Sequence, residues 1–155
     1  MLRETLLSAM GSFWTWSALL IAPKTPLPTK RCFTTQLRGQ DRVKLMFIPC
    51  EVGVWHVVAV LYCHNTNPLL IDSGVGRCWI APLPTEAVVT RYQARVKPDY
   101  VVDVVTDFEG HMLHSTVGPV TCVTLAKRLI GVHNPGLVTS RQLLSHLWRL
   151  SDGRS

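Results

Sequence analysis

Charge is scarce in this chain: only 17% of its 155 residues are Asp, Glu, Lys or Arg, against 47% that are apolar. That balance excludes a disordered tail and describes a packed globule of one domain. Runs of basic residues are missing too. Sixteen Lys and Arg outnumber ten Asp and Glu for a net charge of +6, but they stand singly or in pairs without interleaved aromatics, so nucleic acid is not indicated as a partner. The five cysteines, Cys32, Cys50, Cys63, Cys78 and Cys122, are odd in number and form no CxxC pair. A disulfide framework normally shows an even set in a shorter secreted chain, so these read as reduced thiols of an intracellular, cytoplasmic protein. No apolar run is long enough for a membrane span. The nearest, "LLSAMGSFWTWSALLIA" (6–22), has seventeen residues and contains Ser, Thr and Gly, which makes it too short and too polar. It reads first as an amphipathic or peripheral helix, then as a targeting segment and last as an anchor, because Glu4 and the lack of a small-x-small cleavage site argue against export. Surface association through this segment stays open.

What the chain does have is order in its apolar residues. "APKTPLPTKR" (22–31) holds three prolines and reads as a linker, so residues 1–42 are taken as an N-terminal helix and Pro-rich linker and 43–155 as the folded domain, starting near Val43. From there "VKLMFIPC" (43–50), "VWHVVAVLY" (54–62), "PLLID" (68–72), "RCWIA" (77–81) and "YVVDVVT" (100–106) are short β-branched and aromatic runs separated by turn formers, the pattern of strands. "TEAVVTRYQARV" fits either a helix or a strand. Then the period changes: Cys122, Leu125, Ala126, Leu129 and Ile130 fall on one helical face. Thr121 is placed to cap that helix and Gly131 to stop it. A second helix follows "NPGLV", with Thr139 and Gln142 at capping-box spacing and Leu143, Leu144, Leu147 and Trp148 as its stripe. The layout is α+β, an antiparallel sheet packed against the cysteine-bearing helix.

Three side chains on these elements are chemically suggestive. In a strand over 54–62, His56 shares a face with Val58, Val60 and Tyr62, and a polar ring on an apolar surface needs a partner. A hairpin through "CHNTNP" brings Asp72 back beside it, where a carboxylate fixes the tautomer of the imidazole and favours its protonated form. Cys122, opening a helix, meets unpaired backbone N–H groups and the positive end of the helix dipole. A neighbouring imidazolium lowers its pKa further, and the thiolate is the nucleophile. The plainer reading of each alone is a core cysteine, a satisfied interior histidine and a turn aspartate. Their conjunction favours chemistry.

At these residues the chain resembles the papain-like cysteine peptidase fold in a permuted order. "WHVVAVLYCHNTNPLLIDSG" is similar to the strand-turn-strand segment of Ulp1-type and adenovirus-protease families, and "VGPVTCVTLAKRLIG" to their cysteine-helix segment. The permuted NlpC/P60 enzymes, with the lecithin retinol acyltransferase-like group, share this His-first, Cys-last order. The resemblance implies Cys122 as nucleophile, His56 as general base and Asp72 as its orienter, in a peptidase of the kind small phage or viral genomes carry. It covers about residues 45 to 135. Two positions depart from the Ulp1 pattern: no Gln precedes the cysteine in "MLHSTVGPVT", and Val123 stands where those families have Gly. The oxyanion donor then falls to His114, Ser115, Thr116 or the backbone N–H of Cys122.

The expectation is therefore a cysteine hydrolase cleaving a peptide or isopeptide bond in a peptide or protein substrate. It requires no cofactor and no metal. Trp55 and Trp79, on flanking strands, are candidates to line a substrate groove. Two other readings compete. An inert papain-like binding domain would use "DFEGHMLHS" (107–115) as its contact loop. A small zinc site could draw on Cys63, His64, Cys78, His111 and His114, although their separations match no common ligand spacing.

Overall fold

A computed structural model describes residues 25–51, 53–74, 77–107 and 121–153. Six strands form one sheet: β1 (Cys32–Gln36), β2 (Asp41–Glu51), β3 (Val54–Tyr62), β4 (Leu69–Gly74), β5 (Arg77–Pro82) and β6 (Tyr100–Thr106). Their spatial order is β1-β6-β2-β3-β4-β5. Three helices accompany them among the described residues: α1 (Glu86–Val96), α2 (Cys122–Ile130) and α3 (Ser140–Ser151). Mixed content of this kind is α+β, as the sequence patterning predicts.

The four strands β2 to β5 are antiparallel neighbours, and β6 pairs antiparallel with the other side of β2. β1 adds a parallel edge on β6, in register from Cys32↔Val101 to Gln36↔Val105. The sheet thus begins at Cys32, ahead of Val43, where the patterning places the start of the domain. "CFTTQ" gives little warning, since it turns only Phe33 and Thr35 inward and offers a single large apolar side chain to read. Pro49 falls in β2 beyond the last residue paired to β6, where its missing N–H costs no ladder bond on that side.

Alternation along the strands builds two cores. Val43, Leu45 and Phe47 of β2, Val57, Ala59 and Leu61 of β3, and Val102 and Val104 of β6 face α2 and α3. There they pack with Val123, Ala126, Leu129, Ile130, Leu143, Leu144 and Leu147. The opposite face presents Met46, Val58, Val60 and Val101 to α1, whose Val89 completes a smaller buried cluster with Leu83.

The ambiguous segment "TEAVVTRYQARV" is α1. Thr85 caps it by accepting a hydrogen bond from the Val88 N–H, and Lys97 ends it in the left-handed region at φ 49°. Val88, Val89, Tyr92 and Val96 supply its sheet-facing stripe, so helical spacing prevails over the strand preference of its valines. Both C-terminal helices begin with the full capping box: Thr121 with Thr124, and Thr139 with Gln142. Gly131 stops α2 at φ 71°, a conformation that only glycine adopts without cost.

Candidate functional site

The site forms where β3 and β4 part. Their ladder runs from Leu61↔Leu69 to Val58↔Asp72 and ends there, while β4 continues along β5 to Gly74↔Arg77 and β3 continues along β2 to Val54. A gap therefore opens beside His56 and Val57. The direction of the backbone follows from the ladder itself. The Phe47 carbonyl accepts the Asp99 N–H, which turns Phe47 toward β6. Its pairing with Val57 is then of the non-hydrogen-bonded kind, and the Val57 N–H points into the gap.

Cys122, the first residue of α2, fills that gap. Hydrogen bonding from the His56 ring and from the backbone N–H groups of Val57 and Val123 acts on its sulfur to favour the thiolate. Burial raises the thiol pKa, but those hydrogen bonds and the positive charge of His56 outweigh it and hold the group below its ordinary value. His56 moves the other way. Its hydrogen bond to Cys122, opposed by burial and reinforced by Asp72, lifts its pKa from 6.5 to about 9.

The carboxylate lies on the far side of the ring, with His56 Nε2 2.6 Å from Asp72 Oδ1. Both side chains are partly exposed, at 28% and 39%. Asp72 is directly across from Val58, two residues along the strand from His56, so the contact is the diagonal one that antiparallel pairing permits. With Nε2 held by the carboxylate, Nδ1 is the nitrogen left for sulfur.

The N-terminus of α2 adds donors. Thr121 Oγ1 accepts the Thr124 N–H, Thr124 Oγ1 accepts the Thr121 N–H, and the first helical bond uses the Leu125 N–H. Among the described residues the N–H groups of Cys122 and Val123 have no capping or helical partner in the first turn, and that of Val123 helps to lower the thiol pKa. The Cys122 N–H is thus positioned for an oxygen that gains negative charge at a carbon attached to Sγ. The other candidate donors, His114, Ser115 and Thr116, lie outside the described residues, as does most of the 107–115 loop.

Cys122, His56 and Asp72, singled out in the sequence, are therefore brought together. The two tryptophans separate. Trp55 is not part of a groove: it is 7% exposed in the α2 and α3 core, its Nε1 donates to Asp99 Oδ2 at 2.8 Å, and its ring stands edge-on to Tyr100. Trp79 is 72% exposed and lies directly opposite Asp72 on β5. Among the described residues no group of three or more His, Cys, Asp or Glu is placed to hold a metal; His111 and His114 lie outside them. The residue that sequence reasoning passed over is Val57, which contributes through its backbone and leaves no mark in the sequence. Tyr92 of α1 also went unnoticed, although its phenol is near enough to Asp72 to feel that charge.

No family model matches the chain, and no curated protein or solved structure matches it either. Among the described residues, no helix is long and apolar enough to cross a membrane.

Proposed function

We propose that this protein is a cysteine hydrolase with a papain-like core in permuted order, cleaving a peptide or isopeptide bond through Cys122, His56 and Asp72. One observation carries the reading: an imidazole 2.6 Å from the Asp72 carboxylate and raised to a pKa of about 9 acts on a thiol held below its ordinary pKa. Perturbation in opposite senses within one contact favours the charged pair, and such paired shifts are typical of functional sites.

In the first step the Cys122 thiolate adds to the carbonyl carbon, forming a C–S bond and moving the carbonyl π pair onto oxygen, toward the Cys122 N–H. As that pair returns, the C–N bond breaks and the leaving nitrogen takes its proton from His56. In the second step neutral His56 removes a proton from water, the hydroxide attacks the thioester, and the acid departs as thiolate and imidazolium re-form. Asp72 keeps the ring oriented throughout, as a positioning residue. The chemistry proceeds on the chain's own groups. A phage or viral origin and a place in the host cytoplasm belong to the same proposal.

Alkylation by iodoacetamide at pH 6.5, followed site by site by mass spectrometry, tests the reading. Cys122 is expected to react well ahead of exposed Cys32, with labelling lost in Cys122→Ala. Equal rates at Cys122 and Cys32 would overturn the reading and favour the inert binding domain.

A further inference from the structure

The face of the sheet that carries His56 and Asp72 has an exposed surface that catalysis does not use. Trp79 is the cross-strand neighbour of Asp72, so both side chains stand on this face, and at 72% exposure its indole covers no core of its own. Arg77, two residues earlier on β5, shares the face.

α1 brings further basic residues to it. Thr90, Gln93, Ala94 and Lys97 line a cleft against Arg31, Cys32 and Val101, which turns that flank of the helix toward β1. The opposite flank, with Arg91 and Arg95, is then turned toward β4 and β5. Tyr92 lies between this flank and the sheet. Burial raises its phenol pKa and the Asp72 charge raises it further, while the Arg95 guanidinium lies 5.9 Å from its ring.

The acidic groups of this face are already engaged. Asp72 holds His56, Glu86 is shared by Arg42, Lys44 and Tyr62, and Asp103 lies beside Arg42. Among the described residues Arg77, Arg91 and Arg95 form no ion pair. An exposed indole on the same face as guanidinium groups that form no ion pair among the described residues, beside the His56–Asp72 pair, is complementary to one kind of ligand.

We infer that the substrate is an extended acidic peptide that packs an apolar side chain on Trp79, beside the His56–Asp72 pair, and sets its carboxylates against Arg77, Arg91 and Arg95. The inference rests on the proposed hydrolase and narrows its substrate class. Trp79 acts on specificity and the three arginines on charge selection.

Two tetrapeptide vinyl sulfones test it, acetyl-Asp-Glu-Leu-Gly and acetyl-Lys-Lys-Leu-Gly, with iodoacetamide as a control too small to reach the surface. On the native protein the acidic probe is expected to inactivate Cys122 about tenfold faster than the basic one, and high salt is expected to shrink the difference. Trp79→Ala should slow both peptide probes about tenfold, Trp79→Phe should recover most of that loss, and the iodoacetamide rate should stay constant throughout. The double substitution Arg91→Glu and Arg95→Glu should reverse the preference between the probes. Equal rates for the two probes on the native protein, or peptide rates unmoved by Trp79→Ala, would overturn the substrate assignment. Failure of the hydrolase reading itself is recognised separately, by iodoacetamide labelling Cys122 no faster than Cys32.

Discussion

Under α2 and α3 the sheet buries an unbroken apolar core from Val43 and Phe47 to Leu129 and Leu144. Under α1 it buries a much smaller one and carries His56, Asp72 and the Arg42–Lys44–Glu86–Asp103 cluster. The first face supplies most of the apolar area removed from water, the dominant favourable term in folding. The second face can afford ionisable groups because α1 covers only part of it. Cys122 connects the two: its helix packs on the first face, and its thiol interacts with the ring carried by the second. Stability and reactivity should therefore be separable by substitution, except at that junction.

The sharpest way to break the comparison is His56→Ala. It leaves the apolar face intact while removing both the hydrogen bond and the charge that offset burial of the thiol. Cys122 alkylation at pH 6.5 is expected to fall by about two orders of magnitude or more. The pH profile carries the sign. In the native protein His56 stays charged until the pH climbs through about 9, so its contribution to stability is complete below the ordinary histidine value and is lost around pH 9. The lowered thiol contributes in the reverse sense, fully above the ordinary thiol value and less as the pH falls through its depressed one. Alkylation should begin below the ordinary thiol range and change again near pH 9. In His56→Ala a single inflection at or above the ordinary thiol value is expected, because burial is then less opposed. A profile unchanged by the substitution would contradict the ion pair.

Leu144→Ala makes the complementary cut. Leu144 is fully buried on α3, and its truncation should cost about 2–5 kcal/mol in chemical denaturation. The pH profile of Cys122 alkylation should not move. A shifted profile would mean that the apolar face tunes the thiol.

Asp72→Asn keeps the shape of the site and removes the carboxylate charge behind the ring. Asp72 supports the His56 charge less than Cys122 does, so the alkylation rate at pH 6.5 should drop only about tenfold, the equivalent of roughly one pKa unit. Stability should change little, since both partners are partly exposed.

The same division explains what could be read in the sequence. β2 to β5 announce themselves as short runs of β-branched and aromatic residues bounded by turn formers, and both C-terminal helices because their caps and stripes coincide. His56 and Asp72 were legible as neighbours once the hairpin was assumed. β1 was not: an exposed parallel edge of "CFTTQ" depends on its partner β6 and not on its own pattern. α1 was ambiguous because its valines favour strands while their spacing favours a helix. The gap that admits Cys122 was invisible, because it arises where two strands stop pairing, and the donor from Val57 is a backbone group common to every sequence.

The smallest effect is the most discriminating, because it acts at the junction. Thr121 caps α2 directly before Cys122, and Thr121→Ala should lower stability by about 1 kcal/mol while loosening the turn that holds the sulfur in the gap. That substitution alone confounds the two faces; Thr121→Asp separates them. Aspartate caps a helix as well as threonine does, so the melting temperature should stay near that of the native protein. Its carboxylate, however, stands beside a thiolate, and like charge disfavours ionisation. The low-pH onset of Cys122 alkylation should therefore move upward in Thr121→Asp. An onset unchanged at full stability would mean that the sulfur is not ionised at the head of the helix, and an onset raised together with a lost cap would mean that the geometry, and not the charge, had changed.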